Sequence, residues 1–160
     1  MKRSILITLL FLGIYVNSSG QKAFKIDYSP FYKSINKTEF EKIKLTSKYQ
    51  VVVLFDAKCS FCIVSFIDAF KKIDSIGWQK SVCYLFVAKA ENLFLTRHYL
   101  RKAGIVLQKN QLLLHDEKGD FMAKNKFIDE SSLNMIIADK KNSVLKIGPP
   151  DKLLEFYSSL

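Results

Sequence analysis

Cys59-Ser60-Phe61-Cys62 lies at the seam between two hydrophobic periods. Before it, Val51-Val52-Val53-Leu54-Phe55 is short, rich in β-branched residues and apolar at every position, the pattern of a strand buried on both faces. After it, Ile63, Phe66, Ile67 and Phe70 recur with helical spacing. The two thiols are therefore expected where a buried strand ends and a helix begins. Unpaired backbone N–H groups and the positive end of the helix dipole favour a thiolate at such a place. The thiolate is the nucleophile of disulfide exchange. Two intervening residues let one turn hold both sulfurs within bonding reach. Cys59 is expected to be the exposed thiol and Cys62 the more buried one.

The rest of the chain alternates in the same way. Thr38-Glu39-Phe40-Glu41 has the form of a capping box and predicts a helix to about Lys48. The Cys59–Cys62 helix is expected to run to about Asp74, before Gly77. Val82 to Val87 reads as a second buried strand. Glu91 to Ala103 reads as a helix closed by Gly104. Leu112 to Leu114 reads as a third strand, and Phe121 to Phe127 as a short helix. Met135 to Ala138 and Val144 to Ile147 form a hairpin through Asp139-Lys140-Lys141-Asn142. Gly148-Pro149-Pro150 stops that strand and opens a last helix from Asp151 to about Tyr157. Early alternation implies parallel pairing, and the hairpin implies an antiparallel edge. The chain has 160 residues, 49% of them apolar, which suits one domain with a substantial core.

The first twenty residues read differently. Lys2 and Arg3 precede an almost unbroken apolar run from Ile5 to Val16, and Ser18-Ser19-Gly20 follows. This is the pattern of a secretory signal peptide, with cleavage expected before Gln21. An uncleaved anchor is the alternative, although the run is short for a span of ~20 apolar residues. The expected organisation is a signal peptide over 1–20, a lead-in over 21–45 and a domain over 46–160. Without Lys2 and Arg3, 23 basic residues face 15 acidic ones, a charge of +8. The lysines are scattered and arginine is nearly absent, so no nucleic-acid footprint is expected. The charge suits a solvated surface, an acidic partner or an anionic membrane face.

Cys59, Cys62 and Cys83 are the chain's cysteines. In an exported chain an odd count allows at most one internal disulfide. Three uses of Cys59 and Cys62 stay open on the residues alone: a redox-active dithiol, a static disulfide, or two ligands of a zinc site. Zinc would need further ligands, from His98, His115 or Cys83. Cys83 sits in an apolar run and reads as buried and inert. No glycine cluster is present to cradle a phosphate, and no cofactor is expected.

A strand, a Cys-x-x-Cys opening a helix, a βαβ unit, a hairpin and a closing helix together resemble the thioredoxin fold. The likeness rests on Val52 to Cys62 and on Ile136 to Gly148, and covers roughly residues 46–160. It is greatest to the exported thioredoxin-like and redoxin-like proteins of Gram-negative bacteria, the Bacteroidetes type above all. The resemblance implies a central, mostly parallel sheet with an antiparallel C-terminal hairpin and helices on both faces. It implies a periplasmic thiol–disulfide oxidoreductase in which Cys59 attacks a protein disulfide or a redox partner and Cys62 resolves the mixed disulfide. The alternative is a non-catalytic binding module of the same fold with a structural disulfide.

Several positions depart from the family's pattern. Lys58 stands where tryptophan is common. Val53 stands six residues before Cys59, where a buried acid is common, leaving Asp56 as the nearest carboxylate. Asp56 itself reads first as a turn residue at the strand end. The cis-proline position falls near Leu133, in Ser131-Ser132-Leu133-Asn134. The peroxiredoxin pattern is not met, since Val52 and Asp56 occupy its proline and threonine positions.

Overall fold

The apolar run before the cysteines forms strand β1, Tyr49–Asp56, whose six central residues are all buried. The computed structural model describes residues 24–33, 40–41, 46–128 and 133–160. Helix α1 is Ser60–Ile76, β2 Val82–Lys89, α2 Phe94–Lys102, β3 Gln111–Asp116 and α3 Asp120–Lys124. Strands β4, Asn134–Asp139, and β5, Val144–Gly148, precede α4, Pro150–Ser158. One sheet holds all five strands in the order β3-β2-β1-β4-β5. β1 pairs in parallel with β2, and β2 with β3. β4 runs antiparallel to β1, and β5 antiparallel to β4.

β1 is central, so alternate residues feed two cores. Val51, Val53 and Phe55 meet Ile63, Phe66, Phe70 and Ile73 of α1 and Tyr157 of α4 on one face. Val52 and Leu54 meet Tyr28, Phe31, Phe40 and Phe121 on the other. Helices thus cover both faces, as expected. The lead-in contributes directly to the second core. Its Lys25 bridges to Ser143, and Ile26 N–H donates to the Asn142 carbonyl at 2.9 Å.

Local chemistry explains most element ends. Gly104 adopts φ +71°, closed to most side chains, and Ile105 N–H returns to the Leu100 carbonyl at 2.9 Å. Pro149 caps α4 and Pro150 opens it, where a missing N–H costs nothing. Asp139 Oδ1 accepts from Lys141 N–H and Ser143 N–H, both at 2.8 Å, and fixes the hairpin turn. Asn142 takes the left-handed conformation there, φ 67°.

Three expectations need correction. Helix α2 begins at Phe94, not Glu91, because Asn92 Oδ1 accepts from Phe94 N–H at 3.0 Å and turns the chain before it. Helix α3 ends at Lys124, not Phe127, because the Asn125 side chain is drawn to the lead-in: its Oδ1 accepts from Asp27 N–H at 2.8 Å. The helix expected to reach Lys48 has ended by Thr46. Phe40 and Glu41 are helical, whereas Thr46 to Lys48 form a turn and bend into β1. Thr38, Glu39 and the apolar leader lie outside the described residues. Among the described residues no helix is long and apolar enough to cross a membrane.

Candidate active site

β1 ends at Asp56, and its carboxylate shapes the loop that follows. Asp56 Oδ1 accepts from Lys58 N–H at 2.9 Å, a tight side-chain turn. Ala57 N–H donates to the Lys89 carbonyl at 3.0 Å, tying the loop to the end of β2. Cys59 is then the N-cap of α1, with an extended backbone, and Cys62 N–H donates to its Sγ at 3.3 Å. A sulfur fills the capping place usually taken by Ser, Thr or Asp. The helix stays anchored because Ile63 and Phe66, one and four residues past Cys62, are buried under β1.

The two half-buried thiols are chemically unequal. Hydrogen bonds from the Cys62 thiol and the Cys62 N–H hold Cys59 below the usual thiol range. Burial and the Asp56 charge oppose this without reversing it. Cys62 is pushed up to about 11, first by its hydrogen bond to Cys59, then by burial and the charge on Cys59. Cys59 is therefore the more readily ionised sulfur, and Cys62 holds its proton more firmly.

Removing the Cys62 thiol should raise the pH midpoint of Cys59 alkylation, since that thiol is the first cause of the lowering. Cys62→Ala should show the full rise and Cys62→Ser, which keeps a donor, a smaller one. Asp56→Asn should move the midpoint the other way, because the charge opposing the thiolate goes while the turn acceptor stays. Iodoacetamide rates against pH measure all three. An unchanged midpoint in Cys62→Ala would contradict the assigned cause.

Lys58 pairs with an acid. Its Nζ pairs with Glu91 Oε1 at 3.2 Å, with both side chains exposed. Val53 is buried among apolar side chains, so Asp56 is the carboxylate whose charge reaches both thiols. Phe61, between the cysteines, is 78% exposed and presents apolar surface beside them. Leu133, near which the resemblance puts the cis-proline position, is half-buried, directly precedes β4 and packs against the α1 side of the core. Ser131 and Ser132 lie outside the described residues.

The remaining candidate ligands have other neighbours. Cys83 is fully buried on the sheet face opposite α1, level with Gln50 in β1. From Gln50 to Asp56 the strand covers roughly 20 Å. The His115 ring meets the Ala90 carbonyl at 2.6 Å, and His98 packs edge-on to Tyr99. Among the described residues no three His, Cys, Asp or Glu side chains gather as a metal site. Sequence reasoning had no signal for Glu91 as the partner of Lys58, because that pairing is made across 33 residues.

Strand order, hairpin and helix placement define a thioredoxin-like α/β fold, with a dithiol at the first helix of its βαβ unit. Solved structures agree on that fold. A thioredoxin-like protein from Parabacteroides distasonis superposes with a TM-score of 0.53 at 9% identity, over 69% of this chain and 80% of that one. A secreted Mycobacterium tuberculosis disulfide oxidoreductase gives 0.52 at 14% identity, over 72% and 84%. The thioredoxin domain of a Bacteroides vulgatus thiol-disulfide oxidoreductase gives 0.53 at 17% identity, over 72% and 80%. No family model matches the chain, and no curated protein does either.

Proposed function

We propose that the chain is an exported thiol–disulfide oxidoreductase acting on protein disulfides through Cys59 and Cys62. The observation that carries this reading is the split between the two thiols at the α1 N-cap: one lowered, the other raised to about 11. A static disulfide has no use for such a split. A two-step exchange needs it. Export rests on the signal-like pattern of residues 1–20 and places the protein in an oxidising compartment such as the periplasm.

The steps follow from the geometry. The Cys59 thiolate attacks one sulfur of the substrate disulfide, that S–S bond breaks, and the departing thiolate takes up a proton. Phe61 offers apolar contact to the peptide beside the bond. Once the Cys59 sulfur is bonded to substrate, its charge and hydrogen bond no longer hold the Cys62 proton. Cys62 then loses that proton and attacks Cys59 Sγ, releasing the second substrate thiol. The substrate gains two electrons and two protons, and the protein is left with a Cys59–Cys62 disulfide. The reverse sequence oxidises a dithiol substrate.

Leu133 near the cis-proline position favours a second reading, a binding module whose cysteines form a permanent disulfide. A glutathione redox titration of the chain, with mass mapping of alkylated Cys59 and Cys62, separates the two. A reversible dithiol–disulfide transition above about −300 mV is expected for an exchange-competent pair. A pair that stays linked in reductant below that potential would overturn the oxidoreductase reading.

A further inference from the structure

Beyond Arg3, Arg97 and Arg101 are the chain's arginines, in a protein otherwise basic through lysine. Both lie exposed on α2, one turn apart, ~6 Å along the helix axis. Both line a single groove of about 420 Å³, with Leu93, Ile105, Leu107 and Leu113 among its walls. These four apolar side chains are half-buried. Lys58, Lys72 and Lys124 each find a carboxylate, at 3.2, 2.6 and 3.7 Å. Among the described residues neither arginine does. Arg101 Nε donates instead to the Arg97 carbonyl, at 3.4 Å.

A guanidinium is a planar fork that matches a carboxylate with two parallel hydrogen bonds, which an ammonium cannot do. Two such forks beside a recessed aliphatic wall suit a ligand that is both acidic and aliphatic. A flat lipid surface would reach the arginines but not the recessed leucines. A polypeptide segment can reach both. We propose that this groove docks a segment of a partner protein in which two carboxylates flank leucine-like side chains.

The Leu93 end of the groove lies toward the sheet edge that carries the thiols, and the groove does not include them. Leu93 lies two residues beyond Glu91, whose carboxylate is held by Lys58, the neighbour of Cys59. From Phe94 to Lys102 the helix extends ~13 Å away from that edge. A partner seated in the groove thus has one end toward the sheet edge that carries the dithiol, and the net charge of +8 left without Lys2 and Arg3 steers acidic partners toward the protein.

Direct binding tests this without any redox chemistry. The protein carries Cys59→Ser and Cys62→Ser, so the outcome is independent of whether it exchanges disulfides. Fluorescence anisotropy follows a labelled synthetic Glu/Leu peptide and its Gln/Leu analogue. The Glu/Leu peptide should bind about tenfold tighter than the analogue. Arg97→Ala with Arg101→Ala should abolish that preference, and Arg97→Lys with Arg101→Lys should restore only part of it. Lys118→Ala with Lys126→Ala, an equal charge change on exposed residues elsewhere, should leave it intact. Equal binding of the two peptides, or an equal loss in the lysine variant, would overturn the proposal. So would tighter arginine-dependent binding to phosphatidylglycerol vesicles than to the Glu/Leu peptide.

Discussion

Cys59→Ser should abolish disulfide exchange, while Cys62→Ser should accumulate a mixed disulfide between Cys59 and its substrate. The asymmetry follows from which sulfur ionises more readily. Cys59 sits at the helix N-cap, where the Cys62 N–H and thiol both donate to it. A serine hydroxyl there would keep the cap but ionises far too weakly to attack a disulfide. Loss of activity should therefore come without loss of stability, since serine is itself a preferred capping residue. In Cys62→Ser the first attack remains possible, and the second has no nucleophile. Insulin reduction measures the first variant, and non-reducing gel mobility with mass spectrometry measures the second. Full exchange activity in Cys59→Ser would rule out the assigned nucleophile.

The pH dependence of exchange carries the same sign. Thiolate forms as pH rises through the Cys59 value, which lies below its ordinary 9.0. The rate of attack should rise with pH and level off below that ordinary value. Cys62, pushed up to about 11, should contribute no second rise near neutrality.

What could be read in the sequence was whatever local periodicity determines. The switch from a continuous apolar run to helical spacing at Cys59 gave β1, α1 and the placing of both thiols. Gly104, Pro149 and Pro150 marked ends through backbone restrictions that belong to one residue. Contacts between distant segments were hidden. The end of α3 depends on Asn125 Oδ1 meeting Asp27 N–H, 98 residues away. The setting of β1 also depends on the lead-in. Buried Gln50 accepts from Tyr28 Oη at 2.7 Å, and its Nε2 donates to the Asp139 carbonyl at 2.8 Å, linking lead-in, strand and hairpin. Neither end of such a bond carries a pattern. Lys58 illustrates the same limit at the site: its position beside Cys59 was plain, but its charge is directed to Glu91. The groove at Arg97 and Arg101 needed α2, the loop after it and β3 to be assembled first.

Phe66→Ala should be the costliest single change in the α1 side of the core. The Phe66 ring lies parallel to that of Phe55, 4.2 Å between centroids and 1° between planes, and leans on Phe86 at 5.3 Å. It thereby joins α1 to β1 and β2 directly below the cysteine loop. Phe66 is 1% exposed, so its removal leaves a cavity that the close-packed neighbours cannot fill. Truncations of this kind cost about 3–5 kcal/mol, the lost burial and the cavity acting together. For a domain of this size that is a fall in melting temperature on the order of 10 °C. The thiols should respond less than the fold does. Their capping bond is made within one turn, between Cys59 Sγ and Cys62 N–H, and does not pass through the ring. Urea unfolding of Phe66→Ala should therefore show a large loss of stability, while the pH midpoint of Cys59 alkylation in the folded variant stays near that of the parent. A loss below about 1 kcal/mol would mean that α1 is held by its other buried residues rather than by this stack. A displaced alkylation midpoint would instead mean that the ring sets the position of the helix N-terminus, making Phe66 a positioning residue for the dithiol.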